Sequence, residues 1–121
     1  MMTYAKAVQL WETRRGNAIR KPLENNTYLY KDGNDFVVRL HSTNVVRIRP
    51  DGTYVLNSGG WSSKTTKDRI NAYSPACISQ KARTWYVYPR NNPLLQEGEK
   101  ATLPPVFCSG MVVDSNGFMV E

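Results

Sequence analysis

Histidine and cysteine are nearly missing from this chain. Among 121 residues there is one histidine, His41, and there are two cysteines, Cys77 and Cys108. One imidazole and two thiols at that spacing supply neither a zinc ligand set nor a disulfide framework, so no metal and no cofactor is expected. Acids are sparse too: ten Asp and Glu stand against sixteen Lys and Arg, scattered mostly through turns. Paired-carboxylate chemistry needs two acids across one cleft, and no such pair stands out. Nothing approaches the roughly 18 apolar residues of a membrane span. The opening MMTYAKAVQLWETRR also lacks the apolar segment that directs secretion. A cytoplasmic protein without a membrane partner is expected, its thiols reduced and half-buried, with a Cys77–Cys108 bridge as the alternative.

What the chain does hold is apolar and aromatic enough to fold. Hydrophobic residues make up 40%, with seven Tyr and three Trp, which excludes a disordered tail and fits one modest core. The net charge of +6 has two readings. It keeps a small domain soluble, or it meets phosphate in a nucleotide, a nucleic acid or a membrane surface.

From Asn25 onward the pattern is that of β-strands. NTYLYKDGNDFVVRLH reads as two strands reversing at Lys31-Asp32-Gly33-Asn34, and TNVVRIRPDGTYVLNS as two more around Pro50-Asp51-Gly52. Alternation puts Phe36, Val38 and Leu40 on one face, joined by Val46, Ile48, Tyr54 and Leu56 if the strands share a sheet. Arg39, His41, Arg47 and Arg49 then line the opposite surface. Residues 3–15 suit a short helix with Ala5, Val8 and Trp11 or Glu12 on one side, although a strand fits the same letters. Residues 64–74 suit a helix opened by a Thr65-x-x-Asp68 capping spacing, docked through Ile70 and Tyr73, and stopped by Pro75.

The strand RTWYVYP occupies 83–89, a polar proline-punctuated loop 90–105, and a hairpin turning at Ser115-Asn116-Gly117 closes the chain over 106–121. The expected class is α+β, mainly antiparallel β. It is a single compact domain over 1–121, with six to eight short strands and one or two short helices. Residues 1–24 form a variable segment, and 25–89 hold the main sheet with the 64–74 helix.

The stretch SGGWSSKTTKDRIN, residues 58–71, asks whether a phosphate loop defines an enzyme. A Walker loop would need glycines at positions 58 and 63 before Lys64-Thr65, and those positions are Ser58 and Ser63. Alternating β and α units that would surround such a loop are also absent. A weaker anion site survives. Backbone N–H groups opening a helix attract anions; Ser62, Ser63, Thr65 and Thr66 add hydroxyls, and Lys64, Lys67 and Arg69 add charge. The competing reading is that Thr65 caps the helix while the lysines are a solvated face. A triad of His41, Ser42 and an acid such as Asp35 or Asp68 lacks both nucleophile elbow and oxyanion loop, so no enzyme is expected. Trp61, beside basic and hydroxyl residues, could stack on a base or pack in the core.

Residues 25–71 resemble a family of small proteins encoded by tailed phages and prophages, in which a pattern NNTYL…VRLH…LNSGGW…TTK-RIN recurs before a Trp-Tyr strand like Trp85-Tyr86. The final FCSGMVVD matches more loosely; residues 1–24 and 90–105 fall outside. Asn44 stands where that family more often has Asp. The resemblance implies a phage origin and a setting in the host cytoplasm, and it implies no reaction.

The function expected is non-enzymatic capture of a phosphate-bearing, nucleotide-like ligand, such as a nucleotide immune signal sequestered in counter-defence. Its site would comprise Arg39, His41, Arg47, Trp61, Lys64, Thr65, Thr66 and Arg69, with an oligomer interface as one way to close the pocket. Nucleic acid and a host defence protein are the alternative partners.

Overall fold

Alternating apolar side chains build one long meander. The computed structural model describes residues 1–60, 63–89 and 105–120. Strands β1 (Lys21–Glu24), β2 (Thr27–Asp32), β3 (Asp35–Leu40), β4 (Thr43–Ile48) and β5 (Tyr54–Leu56) each pair antiparallel with the next. Among the described residues, two helices, α1 (Tyr4–Glu12) and α2 (Lys64–Tyr73), and a hairpin of β6 (Ala76–Lys81) and β7 (Thr84–Pro89) complete the fold with β8 (Met111–Val113). β8 adds to the edge of β5, giving a six-stranded sheet of order β1-β2-β3-β4-β5-β8. The class is α+β with mostly antiparallel strands, as the hydrophobic pattern predicts.

The period-2 alternation decides which face is covered. Leu29, Phe36, Val38, Val46, Ile48 and Leu56 are almost fully buried on one side. Ala7 of α1, Ile70 of α2, and Ile78, Trp85 and Val87 of the β6–β7 hairpin share that core. Tyr4 and Trp11 meet the Phe36 ring edge-on, at centroid distances of 5.3 and 6.1 Å. The second layer is therefore α1, α2 and the small hairpin, all on the face that Phe36 and Val38 present. The other face keeps Tyr28, Tyr30, Arg39 and Arg47.

Several expectations change. The main sheet begins at Lys21, inside the segment expected to be variable; β7 pairs with β6 and bridges Val106 through Tyr86, while the C-terminal β8 joins the main sheet. β6 escapes sequence reading because its turn, Ala82-Arg83, holds both residues at positive φ (52° and 67°) without Gly or Asn to announce it. In α1 the buried residue is Ala7, flanked by the partly buried Tyr4, Val8 and Trp11, while Ala5 is exposed. The turn after β8 is as predicted: Asp114 Oδ1 accepts from the N–H groups of Asn116 and Phe118, at 2.9 and 3.0 Å. The loop expected over 90–105 lies, apart from Pro105, outside the described residues.

Candidate functional site

The glycines after β5 serve a close approach. Asn57 Oδ1 accepts from the Gly59 N–H at 2.7 Å, and Ser58 Oγ accepts from that of Gly60 at 3.2 Å, so two side chains fold the turn back on itself. Gly59 has φ +64°, and a Cβ there would lie 2.7 Å from Thr43 Oγ1 and 2.8 Å from its Cγ2. Only a residue without a side chain lets this backbone rest on the first residue of β4. The turn thereby sets the start of α2 beside the β3–β4 turn.

The cap of α2 is Ser63, not Thr65. Ser63 Oγ accepts from the Thr66 N–H at 3.2 Å and bonds Thr66 Oγ1 at 3.0 Å. The T-x-x-D spacing that starts two residues later, at Thr65, lost to this serine because the extended backbone needed at a cap falls at Ser63 (φ −87°, ψ 160°). The Ser63 carbonyl accepts from Lys67 N–H. The N–H groups of Lys64 and Thr65, which no helical carbonyl can reach, have no acceptor among the described residues.

Against this helix start lies a hollow of about 430 Å³. The β3–β4 turn contributes Leu40, His41, Ser42 and Thr43; the β1–β2 turn contributes Asn26; α2 contributes Ser63, Thr65 and Thr66. His41 does not continue the strand alternation onto the Arg39 face. It turns at φ 56° and donates its N–H to the Asn26 carbonyl at 3.0 Å, which locks the two turns together. Asn26 itself sits at φ 54°. The lining offers five hydroxyls, an amide, an imidazole and one apolar side chain.

Of the residues expected to form a site, His41, Thr65 and Thr66 converge here. Arg39 and Arg47 do not: alternation sends them out through the opposite face of the sheet. Arg39 Nε donates to Asn44 Oδ1 at 2.9 Å. Arg47 bridges Asp32 at 2.7 Å and Asp35 at 2.8 Å, and its guanidinium is held still more firmly protonated, first by the bond to Asp32. Lys64 is exposed and paired with Asp68 at 2.9 Å, one helical turn on.

Arg69 is a clamp between α2 and the first two strands, donating from Nε to Thr27 Oγ1 at 2.8 Å and lying 3.5 Å from Glu24. Tyr73 joins that clamp by donating its hydroxyl to Glu24, and burial, followed by this bond, pushes its pKa up. Trp61 lies outside the described residues. Asn26, Ser42 and Thr43 were missed as lining residues; the Asn25-Asn26 pair, a turn signal in its own right, was the available clue.

Among the described residues no cluster of His, Cys, Asp or Glu could hold a metal ion, Cys77 and Cys108 are free thiols, and no helix is long and apolar enough to cross a membrane.

No curated protein and no solved structure matches the chain. A family model described as Kyanoviridae Gp96 protein matches residues 11–114. The match takes in every strand and α2, including the stretch around Gly59 and the hollow. Because it spans most of the chain, this protein belongs to the Kyanoviridae Gp96 protein family, a family of phage proteins.

Proposed function

We propose that this phage protein captures a phosphate-bearing small molecule of nucleotide class in the hollow between the β3–β4 turn and the start of α2, without transforming it. The observation that carries the reading is the convergence there of His41, the Ser42 hydroxyl, and Thr65, whose hydroxyl is joined by a helix-opening N–H with no acceptor among the described residues. Such groups suit a phosphate: the N–H points at it, the helix dipole favours its charge, and hydroxyls complete its shell. A volume of about 430 Å³ falls within the size of small-molecule sites. His41 also sits in a backbone region that costs energy for a residue with a side chain, a feature that gathers at binding loops. Lys64 stands at the helix mouth with its charge paired to Asp68, and Arg39 and Arg47 take no part. In a phage, such capture would serve to sequester a nucleotide signal of host immunity.

The test is calorimetry and thermal shift with inorganic phosphate, a mononucleotide and a cyclic dinucleotide. A nucleotide should bind more tightly than phosphate and raise Tm. His41→Gly keeps the left-handed backbone and removes the imidazole; Thr65→Ala leaves the Ser63 cap in place. Each should weaken binding, while Arg47→Gln should leave it unchanged. Absence of any nucleotide-induced shift, or full binding by both hollow variants, rejects the reading.

A further inference from the structure

The face of the sheet turned away from the core carries aromatic and basic side chains around the buried Val37. Tyr28 and Tyr30, two apart on β2, both project from it and both remain partly accessible. Each ring carries a guanidinium: Arg20 lies 3.9 Å from the Tyr28 centroid and Arg39 lies 4.9 Å from that of Tyr30. Arg20 Nη1 also reaches the Tyr30 hydroxyl at 3.3 Å. Tyr28 pairs across the ladder with Arg39, and Arg39 with Asn44, so rings, guanidiniums and an amide adjoin on neighbouring strands.

Charge separates these two arginines from Arg47 and Arg69. Arg47 and Arg69 have carboxylate partners. Arg20 and Arg39 form no salt bridge among the described residues, although Asp32 and Asp35 stand on the same face and are drawn to Arg47 instead. Two cations spread over tyrosine rings, with no acid to neutralise them, offer positive charge and flat stacking surface at one place.

We infer that this face binds single-stranded nucleic acid, independently of the hollow on the core side. Unpaired bases stack on tyrosine rings and guanidinium planes, while the arginines meet the phosphates. Tyr28 and Tyr30 stand about 6.7 Å apart along β2, and Arg39 faces them from the strand about 4.8 Å away, so ring and guanidinium planes lie within reach of two successive bases. Duplex DNA keeps its bases stacked inside the helix, so it would engage the charges alone and lose the stacking.

Fluorescence anisotropy with a labelled oligouridylate and oligothymidylate at low salt tests this on the intact protein, with a duplex of the same length as control. The single strands should bind, and the duplex should bind more weakly. Tyr28→Ala and Tyr30→Ala should each weaken binding roughly 5- to 150-fold, the loss of one stacked base. Arg39→Lys keeps a point charge and loses the plane, so it should weaken binding with little change in salt dependence. His41→Gly, on the other side of the sheet, should bind as the native chain does. A variant that fails to fold is replaced by crosslinking of the native protein to an iodouridine-substituted strand, with peptide mapping expected to find Tyr28 or Tyr30. No single-strand binding, duplex bound as tightly as single strand, unchanged binding by the tyrosine variants, or crosslinks confined to other surfaces would each overturn the proposal.

Discussion

Gly59→Ala isolates the contact that sets α2 beside the β3–β4 turn. Two costs add. The left-handed φ of +64° penalises any Cβ by about 1–2 kcal/mol, partly offset by the smaller unfolded-state entropy of alanine. The new Cβ would also meet Thr43 Oγ1 at 2.7 Å and Cγ2 at 2.8 Å, and overpacking of that kind costs roughly 1–3 kcal/mol. The net loss should be about 2–4 kcal/mol, a large part of the stability of a small domain. Thr43→Ala removes both clashing atoms and leaves only the position of Thr43 Cβ, 3.3 Å away. The double variant should therefore recover the steric part and keep the backbone part, giving a coupling of about 1–3 kcal/mol. Urea unfolding of the native chain, both single variants and the double variant measures it, provided the m-values agree. A loss below about 0.5 kcal/mol for Gly59→Ala, or additivity within that margin, would refute the close approach.

Capping supplies a second check. Ser63→Ala should cost about 1 kcal/mol, and Thr65→Ala close to nothing, in the same unfolding assay. At alkaline pH, Tyr73 keeps its proton in the folded protein while the unfolded chain releases it near pH 10. The folded state then binds more protons, so stability falls as pH rises past about 10. Tyr73→Phe should flatten that fall, as read by melting temperature against pH, while leaving the share due to the buried Tyr54. Ala82→Gly should stabilise the β6–β7 hairpin by relieving a positive φ of 52°, raising Tm by a few degrees.

Much of the fold was legible because it rests on alternation. Phe36, Val38, Val46, Ile48 and Leu56 declare a buried face by spacing alone, and Gly33 and Gly52 mark the reversals between their strands. β6 stayed hidden because Ala82 and Arg83 adopt a turn that their side chains disfavour, and only the packing of Ile78 and Val87 into the core compensates them. Likewise the cap expected at Thr65 falls at Ser63, because the extended backbone that a cap needs lies there.

For the candidate site, the residue types were readable and their grouping was not. Composition and spacing determined that basic, hydroxyl and aromatic side chains would crowd residues 25–71. Alternation also placed Arg39 opposite Phe36 and Val38, and Arg47 opposite Val46 and Ile48, each within its own strand. Only the tertiary structure decided that α2 packs on the other face of that sheet, which parts those arginines from Thr65 and Thr66. It also decided that His41 leaves the arginine surface at a left-handed turn and joins the helix start instead. The physical reason is that alternation is a property of one strand, whereas the face a helix covers depends on apolar surface gathered from the whole chain.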